Sequence, residues 1–99
     1  MIKHIVFWRI KDTEFSGAEE NRLEVKRRLE QLPGLIEEIV DFEVGFDFNQ
    51  SDAAYEVALY SSFHTKEGLN AYQVHPEHQK VAAFVKSVSV ERAVVDYEI

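Results

Sequence analysis

The stretch Ala71-Tyr72-Gln73-Val74-His75-Pro76-Glu77-His78-Gln79 constrains the fold of this chain more than any other. Pro76 lacks an N–H, its ring clashes with the turn before it, and it biases His75 toward extended backbone. A helix arriving through Leu69 and Tyr72 must therefore end near Val74. Proline suits the first position of a helix equally well, so Pro76 is expected to open a second helix with His75 as the junction. Tyr72 and His78 then lie on opposite sides of a kink, which can turn a phenol and an imidazole toward one point.

The elements before this junction follow from periodicity. Ile2 to Lys11 reads as a strand with His4, Val6, Trp8 and Ile10 on one face and Ile5 and Phe7 on the other, which favours the middle of a sheet. Ser16-Gly17-Ala18-Glu19 has capping-box spacing, and Val25, Leu29 and Leu32 then repeat at helical intervals until Pro33-Gly34, where glycine readily takes a left-handed cap. From Ile39 to Phe48, Val40, Phe42, Val44, Phe46 and Phe48 alternate with polar or small residues. After Asn49-Gln50-Ser51-Asp52 a second alternation, Tyr55 to Phe63, predicts the partner strand of a hairpin. Thr65 can cap the helix that runs to the Pro76 break, the stripe of Val81, Ala82, Phe84 and Val85 continues beyond it, and Val88 to Tyr97 closes the chain as a strand.

The resulting order, βαββαβ, predicts an α+β, ferredoxin-like fold: a four-stranded antiparallel sheet with its helices on one face. Ninety-nine residues are expected to form one domain, 1–99. The face away from the helices carries Ile5, Phe7, Ala58, Tyr60 and one side of the last strand. That is more apolar surface than a monomer usually exposes, and it predicts a homodimer whose sheets pack face to face as a dimeric α/β barrel.

Charge and composition narrow the partners. Eighteen acids against eleven bases give a formal charge of −7, which disfavours nucleic acid or an anionic membrane. The only basic cluster, Lys26-Arg27-Arg28, lies between Glu24 and Glu30 and reads as a solvated helical face. The chain has no cysteine, so a disulfide framework, a thiolate metal site and a cysteine nucleophile are all excluded. Met1 leads into a strand with no signal-peptide pattern and no segment approaches a membrane span, so the expected location is cytoplasmic.

The candidate chemistry centres on three residues. His78 is the natural general base, and Tyr72 can hydrogen-bond a carbonyl oxygen and stabilise an enolate as a proton leaves the adjacent carbon. His4 points to the helix-covered face, where it can line the same pocket. Val6, Trp8, Val57, His75 and Phe84 are the expected pocket lining, and the expected ligand is small, partly apolar and carbonyl-bearing. The same residues also admit plainer roles: a structural helix junction at His75 and His78, a satisfied core histidine at His4, and a core tyrosine at Tyr72. Trp8 and Phe84 read as packing rather than a cofactor platform, and His64 as a surface residue. His75 and His78 alone supply too few ligands for a metal, so neither metal nor cofactor is expected.

Across its whole length the chain resembles the stress-responsive dimeric α/β-barrel (Dabb) family. The resemblance rests on Met1-Ile2-Lys3-His4-Ile5-Val6 with Lys11-Asp12, Leu32-Pro33-Gly34-Leu35, Tyr72-Gln73-Val74-His75-Pro76-Glu77-His78 and Val95-Asp96-Tyr97-Glu98. It implies a dimer and assigns Tyr72 and His78 to the positions that act in a polyketide cyclase of the family, which needs neither metal nor cofactor. His4 matches a histidine at the start of that cyclase's first strand, whereas Val57 stands where it has a further pocket histidine. Two function classes follow: a cofactor-independent lyase, cyclase or isomerase acting on a carbonyl-containing metabolite, or a non-catalytic stress-related or ligand-binding dimer. A monooxygenase of the related antibiotic-biosynthesis barrel group is a third.

Overall fold

The computed structural model describes residues 1–99. Strand β1 (Ile2–Ile10) is followed by helix α1 (Ala18–Leu29), a single 3₁₀ turn (Leu32–Gly34), the strands β2 (Ile39–Phe46) and β3 (Val57–Phe63), the helices α2 (Lys66–Val74) and α3 (Pro76–Val88), and strand β4 (Ser89–Glu98). The sheet is antiparallel in the order β2-β3-β1-β4. This is the expected ferredoxin-like βαββαβ fold, with its second helical crossover divided in two at Pro76.

The two-residue period of β1 decides which side of the sheet meets the helices. Ile2, His4, Val6, Trp8 and Ile10 are all buried, with Val6 only 1% exposed, whereas Phe7 on the opposite face is 38% exposed. Val25 and Leu29 of α1, Leu69 and Tyr72 of α2, and Val85 and Val88 of α3 close over the buried face. Burying each such side chain contributes roughly 1.5–3 kcal/mol. The other face keeps Phe7, Val95 and Tyr97 exposed, at 38%, 57% and 46%.

Local chemistry sets the helix ends. The Thr65 hydroxyl accepts from the Gly68 N–H at 3.0 Å and starts α2. At the junction His75 is extended (φ −64°, ψ 135°), and its Nδ1 accepts from the Glu77 N–H at 3.1 Å, so the same residue ends α2 and caps α3.

Three local expectations are corrected. The Ser16 capping box does not form: Gly17 occupies the cap position, the Ala18 N–H bonds instead to an Asp12 carboxylate oxygen at 2.7 Å, and the Ser16 hydroxyl bonds to Asn21 at 2.5 Å. Gly34 adopts no left-handed cap, because the chain leaves α1 through a 3₁₀ turn and no glycine has positive φ. In β2 a bulge between Ile39 and Asp41 makes Val40 the extra residue and shifts the alternation by one. Ile39 rather than Val40 therefore packs against the core, and Phe48, beyond the strand end, is 94% exposed.

Candidate functional site

The cavity beneath α3 is built from residues whose sequence period points them inward. His4, Val6 and Trp8 project from β1, while α3 contributes His78, Ala82, Val85 and Lys86 along one side. Leu29, Leu59 and Tyr72 add the walls toward α1, β3 and α2, and residues 89–92 of β4 form the outer edge. The space is about 520 Å³ and mostly apolar in its lining, a size suited to a small organic molecule.

Tyr72 and His78 meet here across the Pro76 kink. Their ring centroids lie 4.3 Å apart with the planes tilted by 46°, and His4 approaches Tyr72 edge-on at 6.1 Å. Phe63 packs on the Tyr72 ring at 5.1 Å and Phe42 at 6.3 Å, which fixes the phenol without engaging its oxygen. Tyr72 is only 1% exposed, and burial raises its pKa well above the usual phenol value, partly opposed by the charge of Arg92. At neutral pH the hydroxyl is a hydrogen-bond donor rather than a base.

The tautomer of His78 follows from its partner. Nδ1 lies 3.0 Å from the Gln73 carbonyl oxygen, and because a carbonyl only accepts, the neutral ring carries its proton on Nδ1 and leaves Nε2 as the basic nitrogen. Burial lowers the pKa of His78. The Gln73 carbonyl opposes that shift, and the charges of His4, Arg92 and His75 add to it. The imidazole is consequently neutral at pH 7 and able to take a proton.

His4 is 2% exposed and its Nδ1 bonds to Asp96 Oδ1 on the adjacent strand, with Asp96 half exposed at the sheet edge. The β1–β4 register sets His4 directly opposite Asp96. Such a carboxylate fixes the imidazole tautomer and leaves the other ring nitrogen free, a polar arrangement in an otherwise apolar wall.

The structure brings His4, Val6, Trp8, Tyr72 and His78 together around one space, and three expected lining residues lie elsewhere. Val57 is packed in the core at 1% exposure, between Trp8 of β1 and Phe46 of β2 in the sheet register, and does not reach the cavity. His75 turns its ring to the Glu77 N–H, as its place at the α3 cap requires. Phe84 faces α1, where the Arg28 guanidinium stacks over its ring at 3.8 Å. No three His, Cys, Asp or Glu side chains converge as a metal-ligand set. Sequence reasoning missed Asp96, Lys86 and Arg92. Lys86 carried a signal, standing two helical turns after His78, whereas Asp96 and Arg92 become visible only once the β1–β4 register is known.

The fold and this cavity define a ferredoxin-like α+β protein with a helix-covered pocket. The model of the stress-responsive A/B barrel domain matches residues 2–99, so the chain belongs to that family. It is similar to a dimeric protein of unknown function from Bacteroides fragilis, at 32% identity over 99% of this chain and 95% of that one, with a TM-score of 0.83. A dimeric ferredoxin-like protein of unknown function from Thermobifida fusca is 26% identical over 99% of this chain and 90% of its own, with a TM-score of 0.85. The hydroxynitrile lyase of Passiflora edulis shares the fold at 20% identity, covering 99% of this chain and 92% of that chain with a TM-score of 0.84. No curated protein matches the chain, and no helix in it is long and apolar enough to cross a membrane.

Proposed function

We propose that this protein is a single-domain homodimer whose cavity performs cofactor-independent proton transfer on a small carbonyl compound, as a lyase, cyclase or isomerase. His78 Nε2 takes a proton from the carbon next to the carbonyl: the C–H bond breaks, an N–H bond forms, and the electron pair moves onto the carbonyl oxygen as an enolate. Tyr72 donates a hydrogen bond to that oxygen, and the imidazolium returns its proton to carbon or oxygen in the closing step. His4, held by Asp96, positions the substrate's polar group.

The observation that carries this reading is the 4.3 Å approach of the Tyr72 and His78 rings within the cavity, one ring a neutral base and the other a phenol without a protein partner for its hydroxyl. Structural histidines and tyrosines in a core normally have their polar atoms satisfied. The homodimer is supported by the exposed apolar sheet face and by relatives described as dimeric.

The test is deuterium exchange at the carbon beside the carbonyl, followed by NMR over a panel of ketones and β-keto thioesters. Wild-type protein should accelerate exchange for at least one compound and His78→Ala should not. Equal rates in the two proteins remove His78 from the mechanism. Tight binding with no exchange anywhere in the panel selects the non-catalytic, ligand-binding dimer instead.

A further inference from the structure

The mouth of the cavity has a charge opposite to that of the chain. Against a net charge of −7, the lining contains two cations, Lys86 and Arg92, and one acid, Glu91. The carboxylate of Glu91 is already engaged: its Oε2 lies 3.4 Å from Arg9 Nε and 3.5 Å from the Tyr55 hydroxyl. Asp96, the next acid along β4 on the helix side of the sheet, is taken by His4. The six ion pairs made by lysine and arginine engage Arg9, Lys26, Arg27, Arg28, Lys66 and Lys80, and none engages Lys86 or Arg92.

Placement makes these free cations part of the site. Arg92 pairs with Trp8 in the β1–β4 register, so it rises on the same side of the sheet as the cavity wall. Its charge reaches both His78 and Tyr72. Lys86 lies eight residues beyond His78 on α3, about 12 Å along the helix, with Ala82 between them on the same lining face. A ligand spanning the cavity thus meets base and phenol at one end, an apolar wall of Val6, Trp8 and Leu59, and two unpaired cations at the rim.

We infer that the substrate of this site is an anionic carbonyl compound, a keto acid whose carboxylate is held at the mouth by Arg92, with Lys86 as the second cation. The inference rests on the proton-transfer reading of the same cavity and names the class of molecule that reading left open. A guanidinium fork matches a carboxylate in two parallel hydrogen bonds and fixes its direction as well as its affinity. Anchored there, the apolar part lies along Val6 and Leu59 and the ketone is carried toward His78.

Binding can be read without turnover, because Trp8 is the only tryptophan in the chain and lies in the cavity lining. Quenching of its fluorescence is measured with 4-oxo-4-phenylbutanoate, its methyl ester and its coenzyme A thioester, on wild type, Arg92→Gln, Lys86→Gln and the double variant. The acid should bind wild type about tenfold more tightly than the ester, as expected for one charge-assisted contact, and added salt should reduce the difference. Arg92→Gln should remove most of that preference and leave the ester's affinity unchanged; Arg92→Lys should restore part of it. Equal binding of acid and ester, no binding of either, or a preference that survives the double variant overturns the inference. Binding of the thioester alone transfers the cations to a carrier's phosphates and overturns the carboxylate assignment. If the acid preference behaves as expected but no compound exchanges its proton, the anion site stands and the proton-transfer reading falls.

Discussion

His78 Nδ1 and the carbonyl oxygen of Gln73 lie 3.0 Å apart, on the two sides of the Pro76 break. That hydrogen bond exists because the helix is interrupted: Gln73 falls in the last turn of α2, the Glu77 N–H four residues ahead is turned to His75 Nδ1 instead of to its carbonyl, and His78 in the first turn of α3 reaches back to it. The kink therefore fixes both the position of the imidazole and the nitrogen that remains basic.

Removing that base should abolish turnover while sparing the fold. His78→Ala is expected to lower kcat by about 10²–10⁴, the usual range for a general base, with the far-ultraviolet circular dichroism unchanged. A variant within a factor of two of wild type would exclude His78 as the base.

The pH profile follows from the direction of the His78 shift. Burial lowers its pKa below the ordinary histidine value of 6.5, so the neutral, active form persists into mildly acidic solution, and kcat/KM should be flat near neutrality and fall only below the ordinary histidine range. In the window between the lowered folded value and 6.5 the unfolded chain binds more protons than the folded one, so stability rises with pH there and is lost on acidification. A midpoint above 6.5, or one unchanged in His78→Gln, contradicts this assignment.

Tyr72→Phe separates packing from chemistry. The ring contacts with Phe63, Phe42 and His78 remain, and a hydroxyl with no protein partner is lost, so stability should stay within about 0.5 kcal/mol of wild type. Turnover should drop by about 10²–10³ if the hydroxyl stabilises the enolate oxygen. Because burial raises the phenol pKa, no alkaline loss of activity from Tyr72 ionisation is expected below pH 10. Urea denaturation and steady-state kinetics on the same preparation distinguish the two effects.

The junction itself can be weighed through its cap. His75→Ala deletes the acceptor of the Glu77 N–H and should destabilise the protein by about 1 kcal/mol in urea unfolding. Activity per folded molecule should change little, since the His75 ring lies outside the cavity lining.

Association should depend on the sheet face that the helices leave bare. Phe7 is 38% exposed on that face, with Tyr60, Val95 and Tyr97 on the same side of the sheet. Phe7→Glu would place an unpaired charge in an apolar interface, and sedimentation should shift from dimer to monomer at micromolar concentration. A wild type that sediments as a monomer under those conditions rejects the homodimer.

Much of this molecule was legible in residue order because the signals were local. The two-residue period of β1, the Thr65 cap and the break at Pro76 each depend on neighbours within a few positions. The expectations that failed did so where a contact from outside the motif outweighed its own preference. Asp12 displaced the Ser16 cap, and Val40 lost its inward place to a bulge set by pairing with β3. Arg28 on α1 turned Phe84 into a stacking partner instead of a pocket wall.

The sequence by itself determined that a helix had to break between Tyr72 and His78, because proline's ring and missing N–H act on the backbone whatever surrounds them. Only the tertiary structure decided that His4 would meet Asp96, 92 positions away, and that Arg92 would stand unpaired beside the cavity. Both depend on the register of β4 against β1. That register is fixed by the packing of whole sheet faces, on which a slip of one residue would send every side chain of the strand to the opposite side.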